Sequence, residues 1–261
     1  MLATAWPEMR VSVCSVSDQW SALAIAGPKS RDVLAAALSD IDLSEEGLPF
    51  MGVRHGMMGK VPVLVARLSF SGERAYEVYC ATPNGEAVWS TLLEAGAEYQ
   101  LIPYGTEAMA ALRIEKGHVA GPELDGRTTA RDLRLDGMFA KDTAFIGHTL
   151  QGREGLLADD RPRLVGLVSL DGQAIRAGSH LVSNQQEASA AAGQTVASQG
   201  HVSSTTFSPA VGNYIALGLL ERGAERLGET LYATFPLTNS YGPVKVVEPC
   251  FFDPEGARLY E

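Results

Sequence analysis

The sequence predicts an α+β protein, in which a ferredoxin-like layer of helices on an antiparallel sheet is followed by a C-terminal β-barrel. Three patterns carry that expectation. From Val61 to Phe70, and again from Ala75 to Cys80, side chains alternate with a period of two on either side of Ser71-Gly72-Glu73, as in paired strands. Segments near 28–38, 84–95 and 106–117 instead hold apolar residues at helical spacing. From Leu164 onward short strand-like runs recur between turn formers, the pattern of a small barrel or sandwich.

Ser21 to Ala26 reads as the first strand, ended by Gly27-Pro28, and Pro28 suits the first residue of a helix reaching about Leu38. Strands follow at about Val53 to Met57, Val61 to Phe70 and Ala75 to Cys80. Gly72 supplies the permissive dihedral between the last two. A helix from about Asn84 to Ala95 places Val88, Leu92 and Leu93 on one side. Thr106 is the expected cap of a third helix, with Met109 and Leu112 in its buried stripe and Gly117 ending it. Charge and proline in 156–163 read as a linker, giving an α+β domain over 1–155 and a barrel domain over 163–261. The expected barrel strands are Leu164 to Leu170, His180 to Val182, Gly200 to Ser204, Ile215 to Leu220, Thr230 to Phe235 and Val244 to Val247. Residues 183–199, rich in Ala, Ser, Gln and Gly, read as a mobile surface loop.

Bulk properties narrow the function. A chain of 261 residues, 46% hydrophobic and 20% charged, can bury a real core and is not a disordered polymer. Its formal charge of -10 argues against nucleic acid or an anionic membrane as the main partner, while leaving room for a local cationic cluster and a small anion. Cys14, Cys80 and Cys250 are odd in number and far apart, which fits reduced thiols in a cytoplasmic protein rather than a disulfide framework or a zinc site. No run approaches the ~20 apolar residues of a membrane span, and the first residues lack the marks of a signal peptide. The five histidines are scattered without metal-ligand spacing. Neither a phosphate loop nor a nicotinamide-binding fingerprint is present.

Glu77 is the odd residue of the hairpin, a carboxylate flanked by Tyr76 and Val78 on a stiff strand. Around it, Phe70-Ser71-Gly72-Glu73 followed by Tyr76-Glu77-Val78 is similar to the signature of the glycine cleavage T-protein family, the folate-binding aminomethyltransferases. Three further stretches agree in order: Ala24 to Leu34, Tyr104 to Gly117, and Phe145 to Gly147. Ser17 to Trp20, Pro103 to Met109, Gly200 to Ser204 with Ser208-Pro209, and Phe251 to Arg258 resemble a narrower branch, the alpha subunits of heterotetrameric sarcosine oxidases. The match departs from the wider family at Met109, Ala130 and Gly137, where the family carries Arg, Pro and an aromatic residue.

The resemblance implies a partial aminomethyltransferase-type fold, its N-terminal portion missing from this chain, with tetrahydrofolate as cofactor. Glu77 would be the pterin-binding carboxylate, because a carboxylate accepts an amino group and a ring N–H side by side. Phe70 and Tyr76 are candidates for the ring faces, and Arg113, with Arg67 and Arg74 beside it as further candidates, for the anionic glutamate tail. In the sarcosine oxidase branch the one-carbon unit of an oxidised N-methyl amine is captured as 5,10-methylenetetrahydrofolate. Flavin and NAD would belong only to missing regions or other subunits, and the beta, gamma and delta subunits would be partners. A glycine-cleavage aminomethyltransferase and a non-catalytic interaction module are the alternatives. The catalytic acid or base is not assigned to any residue of this chain.

Overall fold

A computed structural model describes residues 2–139 and 143–260, which divide into two compact units. The first comprises residues up to Ser69, Glu73–Pro103, and the tail from Arg258. The second holds Phe70–Gly72 and Tyr104–Ala257.

In the first unit the short helix α1 (Leu2–Ala5) precedes β1 (Trp20–Ala26), α2 (Ser30–Ala37), β2 (Val53–Met58), β3 (Val61–Ala66), β4 (Ala75–Ala81) and α3 (Gly85–Gly96). The strands form one four-stranded antiparallel sheet in the order β1-β4-β3-β2. Alternation sorts its faces. Tyr76, Val78 and Cys80 of β4 are sealed against Ile25, Val63, Val65 and the helix residues Val33, Leu34, Val88 and Leu92. Glu77 and Tyr79 point the other way and stay half-buried. The expected hairpin is present, but β3 stops at Ala66 rather than Phe70. Residues 67–74 form a wide connection: pairing with β4 ends at Ala66 opposite Glu77, while the Arg67 backbone continues to pair with Met51 and Gly52. Gly72 has φ +83°, the left-handed value its role requires.

Arg67 explains that early exit. Its guanidinium is 1% exposed and donates to Glu45, to the Leu48 carbonyl at 3.2 Å and to the Leu259 carbonyl at 3.0 Å. Arg74, also buried, donates to the Tyr260 carbonyl. Arg258 reaches back to Glu73 at 2.7 Å. The tail is thereby tied into the first unit through its main-chain oxygens.

In the second unit α4 (Thr106–Lys116) and a short turn of helix, α5 (Glu154–Leu157), precede the barrel strands β5 (Pro162–Ser169), β6 (His180–Val182), β7 (Gly200–Ser208), β8 (Asn213–Glu221), β9 (Thr230–Phe235) and β10 (Ser240–Val247). The barrel closes in the order β10-β5-β8-β7-β6-β9 around Val165, Leu167, Leu181, Val202, Leu220, Leu231 and Val246. Ile114 of α4 packs with Leu164, Ile215, Leu217 and Leu219 on its outer side.

Two expectations are corrected. Gly105 precedes the first turn of α4, and Thr106 is its first helical residue rather than its cap. Residues 183–199 are not all loop: α6 (Gln185–Ala190) forms there, capped by the Asn184 side chain on the Glu187 N–H at 3.0 Å and pinned where Thr234 donates to the Ala188 carbonyl. At the end of the 156–163 stretch, Arg161 and Arg163 both pair with buried Asp132. Gly117 ends α4 as expected, with φ +76°, and a side chain there would meet the Pro249 carbonyl oxygen at 2.5 Å. No helix among the described residues is long and apolar enough to cross a membrane.

Candidate functional site

The sheet face that carries Glu77 is built from small and apolar neighbours. Ala24 of β1 and Ala66 of β3 lie directly opposite Glu77 on its two sides, and Ala22 and Leu64 flank Tyr79 in the next row. Directly opposed residues point to the same face, so the carboxylate has an alanine on each side, Ala24 exposed and Ala66 buried. Ala22 and Ala24 are exposed, as are Val53, His55 and Met57 of β2.

Tyr79 completes the arrangement. Two residues along the same strand, its phenol donates to Glu77 Oε2. That hydrogen bond, with burial second, pushes the phenol up to about 12. Among the described residues Glu77 enters no ion pair. The result is a carboxylate fixed in direction by a neutral donor, with accepting capacity left on both oxygens.

The remaining sequence candidates are placed differently. Tyr76 is 0% exposed, its ring inside the helix-facing core, with Arg31 donating to its hydroxyl at 3.5 Å. Phe70, in the second unit, is 40% exposed and lies against the His118 ring at 6.1 Å between centroids. His118 Nδ1 is 2.9 Å from the Phe70 carbonyl oxygen, which fixes the ring's base.

Arg113 sits behind the same histidine. One guanidinium nitrogen donates to the His118 carbonyl at 3.1 Å and to Glu123 at 3.0 Å, the other to Ser204 at 2.7 Å. Glu123 is fully enclosed and also accepts from Ser203 and Ser204, each at 2.6 Å, and from the Ala120 N–H at 2.8 Å. Burial pushes the Glu123 carboxyl up, but the serine and backbone bonds and the Arg113 charge more than offset it and hold it below its usual range. The charge of Arg113 is thus met from within, as Glu45 meets that of Arg67 and Arg74.

Two residues escape a sequence reading of the site. Tyr79 shares the alternation of Glu77, and its i+2 spacing on a strand was the available signal. Glu123 lies in a turn-rich loop that gives no sign of a buried carboxylate. No group of three His, Cys, Asp or Glu among the described residues is arranged to hold a metal ion. The site as built can accept a pair of N–H hydrogen bonds beside a flat apolar surface.

Comparison with known proteins bears on what it accepts. Residues 1–143 match the family described as the GCVT N-terminal domain, and 163–253 the glycine cleavage T-protein C-terminal barrel domain. The chain is similar to the sarcosine oxidase subunit alpha of Rhizobium meliloti, 40% identical over 98% of this chain and 26% of that relative. It is also similar to an aminomethyltransferase of Streptomyces avermitilis, 30% identical over 90% of this chain and 60% of the relative. The chain therefore spans about a quarter of the sarcosine oxidase subunits that it matches. In fold it resembles the glycine cleavage system aminomethyltransferase T of Bartonella henselae, with a TM-score of 0.69 at 23% identity, covering 90% of this chain and 60% of that one.

Proposed function

We propose that this chain, which belongs to the glycine cleavage T-protein family, is the folate-binding part of a sarcosine oxidase alpha subunit. The observation that carries the reading is Glu77, a half-buried carboxylate with a fixed orientation and an alanine on either side. The 2-amino group and adjacent ring N–H of a pterin present two donors side by side. A carboxylate held by Tyr79 can accept both in one plane, a charge-assisted pairing that sets ring orientation. Phe70, the residue expected at a ring face, lies in the second unit, exposed and braced by His118. Tyr76 holds β4 within the core of the first unit, and Arg113 holds α4 within the second.

The residues fit the group. Tetrahydrofolate, when bound, supplies the amine nitrogens that take up a one-carbon unit as 5,10-methylenetetrahydrofolate. The role of this chain is positional: it orients the pterin, so that capture becomes effectively unimolecular. The sarcosine oxidase branch is favoured over a free-standing glycine-cleavage enzyme by the 40% identity across nearly the whole chain. Partner subunits of such an oxidase and a cytoplasmic setting belong to the same proposal. Free Cys14, Cys80 and Cys250 support the setting.

Titration of the chain with folinic acid, followed by calorimetry, tests the reading. Saturable binding is expected in the parent chain. In Glu77→Ala two charge-assisted bonds at roughly 1.5–3 kcal/mol each are lost, so affinity should fall at least a hundredfold. Unchanged affinity in that variant would overturn it.

A further inference from the structure

Several of the buried carboxylates in this chain meet cations. Glu123 is paired with Arg113, Asp132 with Arg161 and Arg163, and Asp253 with Lys116. Each of these pairs spends the negative charge internally. Glu77 is held instead by a neutral hydroxyl, the phenol of Tyr79, as buried Glu115 is by that of Ser208. A phenol can order a carboxylate without cancelling its charge, whereas an arginine in the same place would do both.

Geometry makes the ordering effective. A glutamate side chain has three rotatable bonds and, with no partner, would sample several directions. Tyr79 is the next residue but one on the same strand and the same face, so its hydroxyl is located by the stiff backbone of β4. The directly opposed residues, Ala24 and Ala66, have no polar side-chain atom to compete for the carboxylate. One lone pair of Oε2 goes to the phenol. The other lone pair of Oε2 and those of Oε1 stay available in a fixed plane.

We infer that Tyr79 is a positioning residue that fixes the plane of the Glu77 carboxylate and thereby makes the site selective for ligands with two adjacent N–H donors. This rests on the pterin reading of Glu77 given above. A freely rotating carboxylate can still attract one donor, so loss of the phenol should weaken binding and, separately, erase the preference for a two-donor edge. A residue that only filled space would change neither ratio nor orientation.

The experiment measures affinity for folinic acid and for its 2-desamino-2-methyl analogue, which lacks one of the two donors. It uses the parent chain, Tyr79→Phe and Glu77→Gln. The phenylalanine keeps the ring and removes only the hydroxyl, and equal denaturation midpoints would establish that folding is intact. In Tyr79→Phe, affinity for folinic acid should fall roughly tenfold, the scale of one hydrogen bond to a charged group. Discrimination between the two ligands should fall by a similar factor. Should Tyr79→Phe keep both affinity and discrimination while Glu77→Gln loses them, Tyr79 is mere packing and only this inference is overturned. Were Glu77→Gln also to behave as the parent, or the parent to bind neither ligand, the pterin reading itself fails and takes the inference with it.

Discussion

Arg113 and Glu123 lie 3.0 Å apart between a guanidinium nitrogen and Oε2, with the carboxylate wholly enclosed and two serines of β7 closing around it. The pair ties the end of α4 to the barrel wall inside the second unit. Breaking such a pair from one side is far costlier than the pair is stabilising, because a lone charge stays buried.

Acid sensitivity follows from that carboxylate. Glu123 is held below its ordinary value of 4.5, and Asp132, where hydrogen bonds from Arg161 and Thr129 outweigh burial, below 3.8. For a depressed carboxylate the unfolded chain takes up the proton first, so its stabilisation is present above the ordinary value and is lost as pH falls through the lower folded one. Urea unfolding should show no loss from these groups between about pH 7 and 5 and a steep decline below about 4.5. Glu123→Gln should lose roughly 3–5 kcal/mol at neutral pH by stranding Arg113, and should respond less to acid than the parent. An equal acid slope in both proteins would absolve Glu123.

The tail gives a second test. Removing residues 258–261 takes the Leu259 and Tyr260 carbonyls from Arg67 and Arg74, whose Nε atoms already lack a partner. Leaving two buried cations short of acceptors should cost roughly 2–5 kcal/mol in denaturant unfolding. Arg258→Ala, which removes a partly exposed pair with Glu73, should cost less than about 1 kcal/mol. A chain ending at Ala257 that is as stable as the whole would show that these carbonyls are dispensable.

The phenol of Tyr79 offers a spectroscopic check. Raised to about 12 by the Glu77 hydrogen bond, it should ionise well above the ordinary 10. Subtracting the ultraviolet titration of Tyr79→Phe isolates it from the other tyrosines. In Glu77→Gln the difference signal should move down toward 10. Because the folded state holds this proton more tightly, its contribution to stability is full below pH 10 and disappears as pH rises through about 12.

Much of this architecture is legible in the residues themselves. Strict alternation in Val63, Val65, Tyr76, Val78 and Cys80 marks strands with one dry face, and the short runs after Leu164 close into the barrel they suggest. What stays hidden depends on partners distant in sequence. Composition hides α6, because Ala, Ser and Gln suit a loop equally well until Asn184 caps the turn and Thr234 holds it from β9. Arg67, Arg74 and Arg113 look like cations awaiting an anionic ligand. Only the fold reveals Glu45, Glu123 and two main-chain oxygens some 190 positions away as their acceptors. The direction of Glu77 is readable from its strand, but the bond that stills it is not.

The return of the tail to the first unit also bears on how the protein is born. During translation, Leu259 and Tyr260 leave the ribosome only after the entire second unit has been synthesised. Until then the nascent first unit holds two interior guanidinium groups with hydration as their sole substitute for those oxygens. Those two interior cations therefore gain these acceptors only once residues 258–260 have emerged.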